Sequence, residues 1–315
     1  MHSPAAVRLS TDDRVGNYRI ERELGSTRGG VLFQATHLVL PRRAALKVTH
    51  AGAVDRQAAA VQLLREACIL EALSHPGVPT IYESGVLDDR RPWYAAARVD
   101  GGSLSEMIVR GPIDPLEVAA FARDVADILA HAHRRGVIHR GLRPDRIVLT
   151  PERRFSVCIP DWSDARTHDA APAMPQLPPP GAGHFLAPEV LRGDVIDDRV
   201  DVFTLGAIAY LALTGERAFH RDPTVPHVPT RARRSVVPLP LARLIDQMLA
   251  PDRFDRPSAA EAHAELAQLV VDEPEVIDLA ASSMRIRRPR WTPAIPVPGV
   301  PDELEDLSDA LVDDA

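Results

Sequence analysis

Of the 37 basic residues in the chain, Lys47 is the only lysine. A composition this biased uses arginine wherever any cation serves, so the position that holds lysine points to a need for its compact, flexible ammonium. Lys47 lies in the run Ala44-Ala45-Leu46-Lys47-Val48, which has the character of a strand. That setting predicts a buried stem reaching towards a phosphate. Upstream, Gly25-Ser26-Thr27-Arg28-Gly29-Gly30 is a glycine-bearing turn. Glycines there let backbone amides approach a polyphosphate, although the same turn would equally close a plain β-hairpin. Glu66 falls in a helical stretch, where a glutamate is ordinarily a solvated charge. Two further polar segments follow, His139 to Arg146 and Asp161-Trp162-Ser163.

The elements that must position these groups can be read from periodicity and breakers. Residues 1–17 carry no period and are expected to be a flexible arm. From Tyr18 the pattern is strand, glycine turn, strand, then Ala44 to Val48 as a third strand. Gln57 to Leu73 is expected as a helix with Ala58, Val61, Leu64, Cys68 and Leu70 on its apolar face, stopped by His75-Pro76-Gly77. Val78 to Ile81 and Trp93 to Val99 are expected strands, and Asp100 to Ser103 a hinge-like turn. Beyond it the chain turns helical. Pro115 to Arg135 is amphipathic, Asp201 to Thr214 is apolar nearly all round and so buried in a lobe, and Leu239 to Leu249 and Ala259 to Val271 complete the set. Residues 167–183, rich in Pro and Ala, are expected as a surface loop.

A length of 315 residues suffices for two lobes or two small domains, and 45% hydrophobic with 26% charged residues describes an ordinary soluble globular protein. The net charge of −7 argues against nucleic acid as a main partner. Cys68 and Cys158 form no metal spacing and are expected as small core residues in a reducing compartment. Met1 to Asn17 lacks an apolar leader core, and the longest apolar stretch, Val202 to Leu213, is too short to span a bilayer. A cytoplasmic protein is expected.

Taken in order, the glycine turn, the strand lysine, the helix glutamate, His139-Arg140, Asp161, Ala187-Pro188-Glu189, Asp201 and Arg256 resemble the eukaryotic-type serine/threonine protein kinases of bacteria, over about residues 18–270. The resemblance implies an α+β, bilobal fold: a small β-rich N-lobe with one helix over residues 18–99 and a larger helical C-lobe over 100–272. It implies ATP or ADP as ligand. Gly25 and Gly30 would lie over the phosphates, Lys47 would pair with the phosphates and with Glu66, and Leu32, Ala45 and Ala96 would line the adenine pocket. Asp161 would hold Mg²⁺. Glu189 with Arg256, and Asp201 with the backbone at His139 and Arg140, would be structural.

The departures from the family pattern concern the reaction itself. The family's catalytic loop reads His-Arg-Asp-Leu-Lys-Pro-x-Asn, whereas here it is His139-Arg140-Gly141-Leu142-Arg143-Pro144-Asp145-Arg146. Gly141 stands at the position of the catalytic base and has no side chain to accept a proton. Arg146 puts a cation where a metal ligand belongs, and Arg143 keeps a charge but not the shape of lysine. Ser163 stands in place of a glycine, Ala182 in place of a threonine and Thr27 in place of the middle glycine of the turn. Residues 169–185 contain no Ser or Thr to accept an activating phosphate.

Three readings follow from this mixture. In the first, the chain is a pseudokinase that binds ATP or ADP and works by conformation or partner docking. In the second, it is an atypical active serine/threonine kinase with Asp145 as substitute base. In the third, it is a scaffold that binds no nucleotide, and Lys47 merely pairs with Glu66. Residues 273–315 read as a Pro-rich, acidic disordered tail. Within it are a basic cluster at Arg285 to Trp291, and Leu304, Leu307 and Leu311 at a helical spacing that would suit docking in a protein partner's groove.

Overall fold

The computed structural model describes residues 8–27, 29–150, 155–167, 182–219 and 223–271. The expected tail, and most of the expected surface loop, lie outside these residues. All of the described residues belong to one unit.

Six antiparallel strands make the first lobe: β1 (Arg14–Val15), β2 (Tyr18–Thr27), β3 (Gly30–His37), β4 (Arg43–Val48), β5 (Ile81–Val86) and β6 (Pro92–Ala97), in spatial order β1-β2-β3-β4-β6-β5. Successive side chains of a strand point to opposite faces. Ala44, Leu46 and Val48 therefore join Ile20, Phe33 and Trp93 in a core on one face, while Ala45 and Lys47 face the other way. The register sets Leu32, Lys47 and Tyr94 side by side, with Gln34, Ala45 and Ala96 in the adjoining row. The helix α1 (Arg56–Leu73), capped by Asp55, contacts β5 and β6.

Four expectations are corrected here. The flexible arm expected over residues 1–17 is in part a strand: Arg14 and Val15 pair with Arg19 and Tyr18, and Val15 is buried. The face of α1 is rotated from the expected one, with Val61 and Leu64 nearly half exposed and Leu63, Glu66, Ala67, Ile69, Leu70 and Leu73 buried. Cys68 goes with the exposed side, while Cys158 is the core residue expected. The strand expected at Val78 to Ile81 begins where it was to end, at Ile81.

The second lobe begins with β7 (Gly102–Ser103) and α2 (Leu104–Ile108) and is built on α3 (Pro115–Arg134). Short strands β8 (Val137–Ile138), β9 (Val148–Leu149), β10 (Val157–Cys158) and β11 (Arg166–Thr167) frame the polar segments singled out above. Helices α4 (Pro188–Arg192), α5 (Arg199–Thr214), α6 (Thr230–Arg233), α7 (Leu239–Met248) and α8 (Ala259–Val271) complete it. As its all-round apolarity requires, α5 is buried on nearly every side, against α3 and α7. Buried Glu189 is forked onto Arg256 at 2.6 and 2.9 Å, and that guanidinium lies 4.7 Å over the Phe203 ring. Among the described residues no helix is long and apolar enough to cross a membrane.

Candidate functional site

The strand, the helix and the 161–164 segment meet at Lys47. Its Nζ donates to both oxygens of Glu66, at 2.8 and 2.7 Å, and to Oδ1 of Asp161 at 3.3 Å. Lys47 and Glu66 are almost fully buried, so neither charge is tolerable without the other. This requirement turns Glu66 inward and sets the rotation of α1. The backbone N–H of Trp162 donates to Glu66 at 3.1 Å, and the Tyr94 hydroxyl also bonds to it. Burial and the neighbouring Asp161 push Glu66 up to about 7, against the pull of Lys47. Burial disfavours the Lys47 ammonium, but Glu66 and Asp161 outweigh it and hold the group protonated.

Asp161 is shared between two cations. Oδ1 accepts from Lys47 and from the Ser163 N–H at 3.2 Å, and Oδ2 pairs with Nε of Arg146 at 3.1 Å. Burial alone would raise its pKa, yet Lys47 and Arg146 hold the carboxyl far below the usual range. Arg146 is fixed from two further sides, by the Gly141 carbonyl at 3.0 Å and Asp164 Oδ2 at 2.8 Å. Gly141 sits against this cluster: a Cβ built there would stand 2.6 Å from Asp164 Oδ2 and 2.7 Å from an Arg146 nitrogen. Such approaches are closer than real side chains make. The loop itself is shaped by Asp201, whose carboxylate accepts from the N–H groups of His139 at 2.8 Å and Arg140 at 2.7 Å. Arg140 takes a left-handed backbone, φ +62°. The Trp162 ring lies edge-on to His139 at 4.6 Å, and its indole N–H donates to the Ile159 carbonyl at 2.9 Å.

The residues predicted from the sequence fall into two groups. Lys47, Glu66 and Asp161 are in direct contact, with Ala45, Ala96 and Leu32 on the same face of the sheet. Gly25 and Gly30 lie along the paired stretch of the hairpin, opposite Leu32 and Thr27, but Gly29 is the loop residue beside the lysine. A Cβ on Gly29 would stand 3.2 Å from Nζ. Thr27 pairs with Gly30 and closes the hairpin tightly. Asp145 is apart from this group, with Arg143 donating to both of its oxygens at 2.9 and 2.7 Å. Ala182 lies in a 3₁₀ turn, and its side chain is outside the described residues. Asp164 and Tyr94 were missed. The signal for Asp164 was an acid one helical turn's spacing after Asp161, facing a loop with an unexpected arginine.

The protein kinase domain family matches residues 18–266. Among curated relatives, the serine/threonine-protein kinase pkn3 of Myxococcus xanthus is 30% identical over 93% of this chain and 59% of its own length. The serine/threonine-protein kinase PknB of Mycobacterium tuberculosis is 30% identical over 80% of this chain and 43% of its own. This chain thus spans less than two thirds of the length of these relatives. The crystal structure of the Mycobacterium tuberculosis PknI kinase domain superposes with a TM-score of 0.64 at 25% identity, covering 83% of this chain and 99% of that one. A sheet lobe with one helix, a helical lobe, and a lysine–glutamate pair joined to an aspartate between them thus accompany a family match over most of the chain: it belongs to the eukaryotic-type serine/threonine protein kinases.

Proposed function

We propose that this member of the family is a pseudokinase: it binds ATP or ADP beside Lys47 and acts through its conformation or by docking a protein partner, without transferring phosphate. The observation that carries the reading is the space at residue 141. The position that should present a carboxylate to the substrate hydroxyl is glycine, and Asp164 and Arg146 fill the volume a side chain there would need. Loss of a positioned base and of charge stabilisation each costs orders of magnitude in rate. The nucleotide side supports binding. A buried ammonium next to a glycine-bearing backbone, with the small residues Ala45 and Ala96 on the same face, suits a nucleoside polyphosphate.

The active-kinase alternative needs Asp145 as base, and a base must reach the proton it takes. Both its oxygens are already engaged by Arg143. The scaffold alternative draws on the completeness of the Lys47 contacts, which balance without any ligand.

Two measurements separate the readings. Labelled phosphate from ATP should reach neither the chain itself nor a general protein substrate; transfer that Asp145→Asn abolishes would establish the active kinase instead. Saturating ADP should raise the melting temperature of wild type by a few degrees, about what 2–3 kcal/mol of linked binding gives, and leave Lys47→Ala unmoved. A wild type unmoved by either nucleotide would leave the scaffold.

A further inference from the structure

Asp161 is the residue the family pattern assigns to Mg²⁺, and its surroundings do not fit a metal. Mg²⁺ demands close, near-octahedral oxygen ligands. Here Oδ2 of Asp161 faces the Arg146 guanidinium at 3.1 Å, and Oδ1 is taken by Lys47 and the Ser163 N–H. A metal on this carboxylate would have to displace a partly buried arginine held by three groups, or sit beside it against like-charge repulsion. Nor does the 146 position offer a ligand, since a guanidinium has donors only.

We propose that the site takes a nucleoside di- or triphosphate without any divalent cation, Arg146 supplying the positive charge in the metal's place. The proposal rests on the nucleotide-binding reading above. Relative to the family pattern, glycine for aspartate at 141 removes one negative charge and arginine for asparagine at 146 adds one positive. Together the two changes supply the charge of one divalent ion. The guanidinium is also the right kind of cation, because it is permanently charged and forks onto phosphate oxygens. Its hydrogen bonds to Asp164 and the Gly141 carbonyl run through one terminal nitrogen, and its nearest approach to Asp161 is through Nε. Asp164 then acts as a positioning residue, and Gly141 is the small residue that lets Arg146 and Asp164 meet.

The test is calorimetric titration of the full chain with ADP and with ATP, once in EDTA and once in excess Mg²⁺. Wild type should bind both nucleotides in EDTA with Kd within about threefold of the Mg²⁺ value. Arg146→Asn should weaken binding in EDTA by about tenfold or more and recover it on adding Mg²⁺. Wild-type binding that requires Mg²⁺ would overturn the metal-free inference and leave nucleotide binding standing. Binding in EDTA that survives Arg146→Asn unchanged would overturn the role of Arg146. Absence of binding in both buffers would overturn this inference together with the reading it rests on. The wild-type comparison between buffers needs no variant, so the inference is decided even if Arg146→Asn does not fold.

Discussion

Asp201, which is buried, and Asp161, which is mostly so, are both acids beside the 139–146 loop, and they keep different company. Asp201 accepts from two backbone N–H groups of that loop and from His133 Nε2 at 2.9 Å. Burial opposes its charge, but these hydrogen bonds hold it ionised below the usual range. Its partners are parts of the framework, and they fix where the chain runs. Asp161 instead lies between Lys47 and Arg146, two side chains from distant segments, and its partners fix the charge of the site. The path of a catalytic loop is thus maintained by contacts that need nothing from the groups it would carry. A kinase fold can be kept whole around a loop whose reactive positions read glycine and arginine.

Asp201→Ala breaks this contrast most severely. It leaves the buried His139 N–H, the partly buried Arg140 N–H and His133 without their acceptor, and should cost about 3–5 kcal/mol in denaturant unfolding. A loss under about 1 kcal/mol would show that the loop holds its path unaided. Gly141→Asp sharpens the contrast from the other side. It sets a second carboxylate against Asp164 and should destabilise by about 1–3 kcal/mol without restoring phosphate transfer. Transfer recovered by this single change would show that the framework had been ready for the base all along. The smallest effect expected is one of slope. Glu66 ionises near 7 in the folded chain against an ordinary 4.5, so the native state holds a proton that the unfolded chain releases between these values. Its contribution to stability is complete below about 4.5 and falls as pH rises towards 7. Glu66→Gln has no such proton, so the stability of wild type minus that of the variant should decline across this window. Parallel curves would mean that Glu66 is ionised throughout.

Much of the fold was legible because long elements announce themselves. The helix at 115–134 falls where its periodicity set it, the lysine strand falls where its strand-like run lies, and the all-apolar helix expected from Asp201 begins two residues earlier, at Arg199. The face of α1 was not. Its apolar residues surround the helix, so spacing alone could not choose the buried side, and the choice falls to the ion pair of Glu66 with Lys47. The short β1 has too few residues to show alternation, so the arm looked shapeless until its partner strand was known. Lys47, Glu66 and Asp161 were readable as types in order. The packing of Gly141, Arg146 and Asp164 was not, because it joins positions whose relation exists only in space.

Trp162, fully buried beneath the lysine–glutamate pair, carries a consequence of another kind. The chain has three tryptophans, and this one sits in the segment that bears Asp161, edge-on to His139. Its emission depends on that ring contact and on exclusion from water. Any rearrangement that swings the segment outward would redden and quench or brighten the signal, so the protein has an optical reporter built into its own centre, readable without a label.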